Sequence, residues 1–239
     1  MKLTPEIYFR EVPPTVDMNI RSELYSTNEF TFAVAVILSA QATDKKVNEV
    51  TPALFAVADT PEKMLKLGDT GLKEHIKVIS FFNNKSKNII ALSRKLEERT
   101  GQSEGIDASK NNAKLATNNS PSLCALRSST SILPHTRDEL MKLPGIGQKT
   151  ANVIMNVLWG APYIGVDTHV FRNAHRYGWV ADSDNTPEKV EEKLLKIIPQ
   201  KYHGMVNHVM VLHGRYTCKA LRPNCAECPV AKWCPARRV

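Results

Sequence analysis

Apolar residues along this chain recur at helical spacing, polar residues and prolines punctuate them as helix ends do, and sustained alternation of the strand kind is missing, so the pattern predicts an all-α protein. Thr60 followed by Pro61 reads as an N-cap and first helical residue, with Gly68 closing a short helix. Thr186 and Pro187 repeat the device ahead of EKVEEKLLKII, where Val190, Leu194, Leu195 and Ile198 fall on one apolar stripe. Thr136 and Glu139 have capping-box spacing before Leu140 and Met141. The helix TANVIMNVLW meets a conventional stop at Gly160, with Pro162 soon after.

One stretch breaks this rhythm. QSEGIDASKNNAKLATNNSPSLCALRSSTS, from Gln102 to Ser131, is rich in Ser, Asn and Thr and lacks an amphipathic period, which predicts a surface insertion near 102–131 with Cys124 incidental to it. Long surface loops cost little extra closure entropy, so such an insertion is compatible with a packed domain.

Composition narrows the class. A chain of 239 residues with 42% hydrophobic residues supplies a sizeable core, and a net charge of +8 suits a polyanionic partner such as nucleic acid. The leading MKLTPEIYFREVPPTVDMNI has no apolar run fit for a signal peptide, and no later segment approaches the ~20 apolar residues of a membrane span. The expectation is a cytoplasmic, nucleoid-associated protein with no membrane partner. Of five cysteines, four stand at positions 218, 225, 228 and 234, a crowding that points to a metal or cluster site and away from a disulfide framework.

Residues 143–151, LPGIGQKTA, lie between the capped helix and the apolar one. Gly145 and Gly147 flank a single apolar residue and let the chain turn tightly, so that amides at the start of the second helix face outward, a geometry suited to phosphate. Lys149 falls in the first turn of that helix, where the macrodipole disfavours a cation by a few tenths to ~1 kcal/mol. A residue badly placed for stability is well placed to act as an attacking amine or to touch phosphate. Asp167, in GVDTHVFRNAH, precedes a predicted helix, and an N-cap carboxylate there is worth ~1 kcal/mol. The same carboxylate is suited to stabilise positive charge developing on a sugar ring, better than to act as a general base.

Cys218, Cys225, Cys228 and Cys234 follow C-x6-C-x2-C-x5-C. Four soft thiolates in one short loop can hold tetrahedral zinc or a four-iron cluster, and spacing does not decide between them. Lys219, Arg222, Lys232, Arg237 and Arg238 surround the site, so the loop also has cations to present to DNA.

Taken together, LSAQATD at 38–44, LPGIGQKTANV at 143–153, GVDTH at 165–169, LHGRYTC at 212–218 and the cysteine spacing resemble the endonuclease III family of bifunctional DNA glycosylases, part of the helix-hairpin-helix superfamily. The resemblance covers nearly the whole chain except the low-complexity stretch. It implies a six-helix barrel domain over 22–161, with the helix-hairpin-helix near 137–159, and a second domain of both chain ends, 1–21 and 162–239, built around one [4Fe-4S] cluster. It further implies that Lys149 is the nucleophile, that Asp167 is the catalytic carboxylate, and that Cys218, Cys225, Cys228 and Cys234 are the cluster ligands. DNA would lie between the domains. Substrate would be duplex DNA with damaged pyrimidines or abasic sites, its damaged base excised and its strand cleaved by β-elimination through a lysine Schiff base. Gln41 matches the position that fills the gap left by an extruded base. Phe81, in VISFFNN, stands where the family commonly has an aliphatic wedge, and an aromatic wedge also intrudes between bases, although a core role is open to it. A monomer suits such an enzyme.

Two other classes compete. The related adenine-type mismatch glycosylases need a catalytic glutamate where this chain has Ile37, and generally lack the lysine. A non-catalytic helix-hairpin-helix DNA-binding protein would show strongly salt-dependent binding with no covalent chemistry.

Overall fold

A computed structural model of the chain describes residues 2–13, 24–103 and 131–238. The described residues form helices and turns with no strand. Most of the predicted 102–131 insertion, Cys124 included, lies outside them.

The chain divides into two compact units, Glu23–Ile154 on one hand and Met1–Ser22 with Met155–Val239 on the other. The first holds α2 (Glu29–Ser39), α3 (Asp44–Val57), α4 (Pro61–Ile76), α5 (Phe82–Ser103), α6 (Arg137–Leu140) and the opening of α7 (Gln148–Trp159). Its centre is α2. Every residue from Glu29 to Leu38 is buried, as a helix apolar on all sides must be. Asn28 caps it reciprocally with Thr31, the Thr31 amide donating to Asn28 Oδ1 at 2.8 Å and the Asn28 amide to Thr31 Oγ1 at 2.9 Å. The buried Glu29 carboxylate accepts the Ser131 hydroxyl at 2.6 Å. Thr60 caps α4 as predicted; Gly68 breaks the first helical run with φ 70° and ψ 173°, and a second run, unanticipated, resumes at once and continues to Ile76.

The second unit joins the chain ends. It contains α1 (Pro5–Glu11), the remainder of α7, α8 (Thr168–Arg176), α9 (Pro187–Ile197) and α10 (His203–Tyr216). Tyr8 and Phe9 of α1 sit in one core with Val170, Tyr177, Val190, Leu194 and Met210, and the Trp179 indole donates to the Leu3 carbonyl at 2.8 Å. The predicted α9 stripe faces this core: Val190, Leu194 and Ile198 are buried and Leu195 packs at its edge. Gly160 ends α7 with φ +66°, the left-handed stop anticipated for it. A close approach of α8 and α10 requires glycine at 214, since a Cβ there would stand 2.9 Å from His169 Cβ and 3.0 Å from Asn173 Nδ2.

Candidate active site

The hairpin grows from α6, whose N-terminus is satisfied by Thr136 Oγ1 accepting the Glu139 amide at 3.4 Å. Leu143 and Ile146 turn inward and are buried, their amides donating to Leu140 and Leu143 carbonyls at 3.0 and 3.2 Å. The glycines between them differ. Gly145 has φ +78°, and a Cβ on it would meet Asn88 Cβ of α5 at 2.9 Å, so the turn needs glycine there for both conformation and space. Gly147 has open space around it and no left-handed conformation; its carbonyl accepts the Ala151 amide at 2.9 Å and opens α7. Lys149, the second residue of α7, is exposed, and the first turn of that helix carries no acidic residue.

Asp167 belongs to the other unit and is the N-cap of α8. Its Oδ1 accepts the His169 and Val170 amides at 2.9 and 2.8 Å. The segment leading into it is held by amide side chains. Asn207 exchanges two bonds with the Gly165 backbone at 2.8 and 2.9 Å, and Asn156 Nδ2 donates to the Ala161 and Tyr163 carbonyls at 3.2 and 3.1 Å. The half-exposed carboxylate is thereby fixed in place on a rigid helix start.

Gln41 and Phe81 share an unusual feature: they are the positive-φ residues other than glycine among the described residues, at φ 55° and φ 59°. Each such conformation costs roughly 1–3 kcal/mol and persists only when the surroundings impose it. Both side chains are exposed, Phe81 to 63%, so Phe81 is not a core residue. Between them in the structure stands Lys85, which sequence reading passed over. It is 6% exposed, and its Nζ donates to the Leu38 and Ala40 carbonyls at 2.8 and 2.6 Å. Burial pushes its pKa below the ordinary lysine value. Ile37, the position at which adenine-type enzymes need glutamate, is 3% exposed within α2.

The cysteine loop follows α10. Cys218, Cys225, Cys228 and Cys234 are all free of disulfides and half-buried, and three of them, Cys218, Cys228 and Cys234, pack against the core of their unit. Two arginines of α8 that sequence reading also missed hold the start of this loop. Arg176 donates to the Lys219 and Ala220 carbonyls, both at 2.7 Å, and to Cys218 Sγ at 3.3 Å; Arg172 donates to the Gly214 and Cys218 carbonyls at 2.9 and 3.1 Å. His213 Nε2 lies 3.4 Å from Cys228 Sγ, while its Nδ1 is 3.1 and 2.9 Å from the Tyr8 and Tyr177 hydroxyls. Burial pushes the Cys228 thiol up to about 11 and His213 down to about 4. Among the described residues no three His, Cys, Asp or Glu side chains form a cage for a single metal ion. Lys219 and Arg222 are exposed on the loop. No helix among the described residues is long and apolar enough to cross a membrane.

Residues 34–200 match the model of the HhH-GPD superfamily base excision DNA repair proteins. The chain is 46% identical over 216 residues to the endonuclease III of Rickettsia conorii, covering 90% of this chain and 88% of that protein. It is 39% identical over 222 residues to endonuclease III of Escherichia coli K12, covering 92% and 87%. Among solved structures, a trapped endonuclease III–DNA covalent intermediate in an estranged-adenine complex superimposes with a TM-score of 0.76 at 35% identity, over 98% of this chain and 97% of that one. A thermostable thymine-DNA glycosylase shares the fold at 18% identity and a TM-score of 0.70.

Proposed function

We propose, from the premise that the chain belongs to the endonuclease III family of the HhH-GPD superfamily of base excision DNA repair proteins, that it excises oxidised pyrimidines from duplex DNA and cleaves the strand at the abasic site. The observation that carries the reading is the exposed Lys149 in the first turn behind the Leu143–Ile146 hairpin, with no carboxylate in that turn to pair with it. Phosphate seats against the hairpin backbone around Gly145 and Gly147 and brings the sugar of an extruded base to the lysine.

The chemistry then needs an amine and a carboxylate. Lys149 Nζ attacks the sugar C1′, the glycosidic bond breaks, and the base leaves with the bonding pair and takes up a proton. Asp167, held ready by hydrogen bonds from two backbone amides, stabilises positive charge as it develops on the ring. Ring opening gives a protonated imine between Lys149 and C1′; loss of a C2′ proton expels the 3′ phosphate and cuts the strand. Gln41 fills the vacated space and Phe81 wedges the stack. Lys219 and Arg222 contact backbone phosphate. The enzyme acts as a monomer.

The Glu23–Ile154 unit is read as the barrel domain and the unit of both chain ends as the cluster domain. The four half-buried thiols of one loop, none in a disulfide, fit a [4Fe-4S] cluster as its ligands. Bound there, the cluster braces the Cys218–Cys234 loop, to which Arg172 and Arg176 already give one fixed end.

Incubation with duplex containing an oxidised pyrimidine, followed by borohydride, tests the reading. A protein–DNA adduct is expected with the wild type and none with Lys149→Ala. Binding without an adduct, weakening steeply with salt, would show a DNA-binding protein without the lysine chemistry.

A further inference from the structure

Lys85 takes part in no step of the reaction above, yet it is bonded to both strained turns. Its side chain holds the first. The Leu38 and Ala40 carbonyls it binds belong to the last turn of α2 and the residue just beyond, where carbonyls lack intrahelical partners and the helix carries partial negative charge. The Ala40 oxygen lies in the peptide plane that joins Ala40 to Gln41. Fixing that plane at 2.6 Å sets the direction in which Gln41 leaves the helix, at φ 55°. Its side chain starts from the second turn: the Lys85 and Asn84 amides, which open α5 whatever the side chain at 85, both donate to the Phe81 carbonyl at 3.1 Å, so the ammonium ties the turn at φ 59° to the end of α2.

A packing role does not account for this residue. An apolar side chain of similar length would fill a buried site at lower desolvation cost than an ammonium. Nor does folding gain from two left-handed turns whose side chains point to solvent. The strain is useful if Gln41 and Phe81 must stand ready when a duplex arrives. We infer that Lys85 is a positioning residue: it clamps the Gln41 and Phe81 turns so that gap filler and wedge are presented in fixed register to the duplex. This rests on the assignment of those two roles above.

Lys85→Met keeps the length and apolar stem and removes the donors. In the folded variant, shown by an unchanged helical circular dichroism spectrum, amide exchange over residues 39–43, where the Ala42 amide donates to the Ser39 carbonyl at 3.1 Å, should accelerate by about tenfold or more. The ratio of excision rate on a paired lesion in duplex to strand cleavage at an abasic site in single-stranded DNA should fall by about tenfold, since only the duplex requires stacked bases to be parted. In a Gln41→Gly, Phe81→Gly background the same Lys85 substitution should change that ratio by less than about twofold, because the side chains it presents are gone. Unchanged exchange at 39–43 overturns the clamp, and so does a Lys85 loss that multiplies in full with the tip substitutions. An enzyme inert on every lesion would refute the reaction proposed above, while the exchange measurement still decides the clamp. If Lys85→Met does not fold, Lys85→Gln, whose shorter stem leaves its amide out of reach of the two carbonyls, is held to the same exchange criterion.

Discussion

Replacing Asp167 should cost the protein twice, and two substitutions separate the costs. Its Oδ1 satisfies two of the orphan amides at the start of α8, at 2.9 and 2.8 Å. Truncation to alanine removes both bonds and the favourable charge at the helix N-terminus, a loss of about 1–2 kcal/mol for such caps. For a chain of this size that lowers Tm by about 2–8 °C. Asp167→Asn keeps a side-chain oxygen for the amides and removes only the charge, so most of the Tm should return. Excision should not return with it: single-turnover rates on an oxidised pyrimidine duplex should stay down by about 100-fold or more, the scale of losing one preorganised electrostatic group. Thermal unfolding by circular dichroism and rapid-quench excision on the same preparations measure the two effects. An unchanged Tm in Asp167→Ala would refute the cap as a stabilising element. Wild-type excision by Asp167→Asn would refute the need for its charge.

Other outcomes follow from the same geometry. Gly214→Ala should lower Tm by about 2–12 °C, because the new methyl meets His169 and Asn173 at 2.9–3.0 Å and overpacking costs about 1–3 kcal/mol; an unchanged Tm would mean that α8 and α10 separate freely. Gly145→Ala should weaken binding to undamaged duplex in a filter or anisotropy titration, since the hairpin must shift away from Asn88, whereas Gly147→Ala, with open space around it, should fold normally. Phe81→Gly should leave Tm unchanged or raised, since a 63% exposed ring loses little and a left-handed turn is relieved; a core phenylalanine would instead cost about 3–5 kcal/mol. Purified protein should carry iron and acid-labile sulfide in equal amounts, and zinc without iron would refute the cluster.

The parts of the fold written locally were readable in advance. Thr60, Thr136, Thr186 and Asp167 are N-caps because a short polar side chain ahead of a helical run has a local job with the amides two or three positions on. Gly160 stops α7 for an equally local reason. The 190, 194 and 198 stripe is buried because helical periodicity needs no knowledge of what lies opposite. Gly68 was half legible: its conformation breaks the helix, but the apolar positions Leu72 and Ile76 find partners in the same unit and bring the helix back. The FTFAVAVIL run of α2 carries no period at all, since a helix buried on every side shows none.

What the sequence hid depends on groups far along the chain. Lys85, within NNKSKNII, looks like one more solvated lysine; it is buried because carbonyls 45 and 47 residues earlier meet its amine. Arg172 and Arg176 look like the polar face of a helix, and their real partners are backbone carbonyls more than 40 residues on, from Gly214 to Ala220. In each case a cation is spent on main-chain oxygens, which carry no residue identity and so leave no mark in the pattern of side chains. That is also why these three residues sit where they do. A carbonyl cannot be mutated away or repelled, so a cation bound to it fixes a turn or a loop start through any change in the side chains there. The Gln41 turn and the opening of the cysteine loop are held by that kind of contact, and Arg176→Met should therefore loosen residues 217–220 in hydrogen exchange while leaving α8 itself protected.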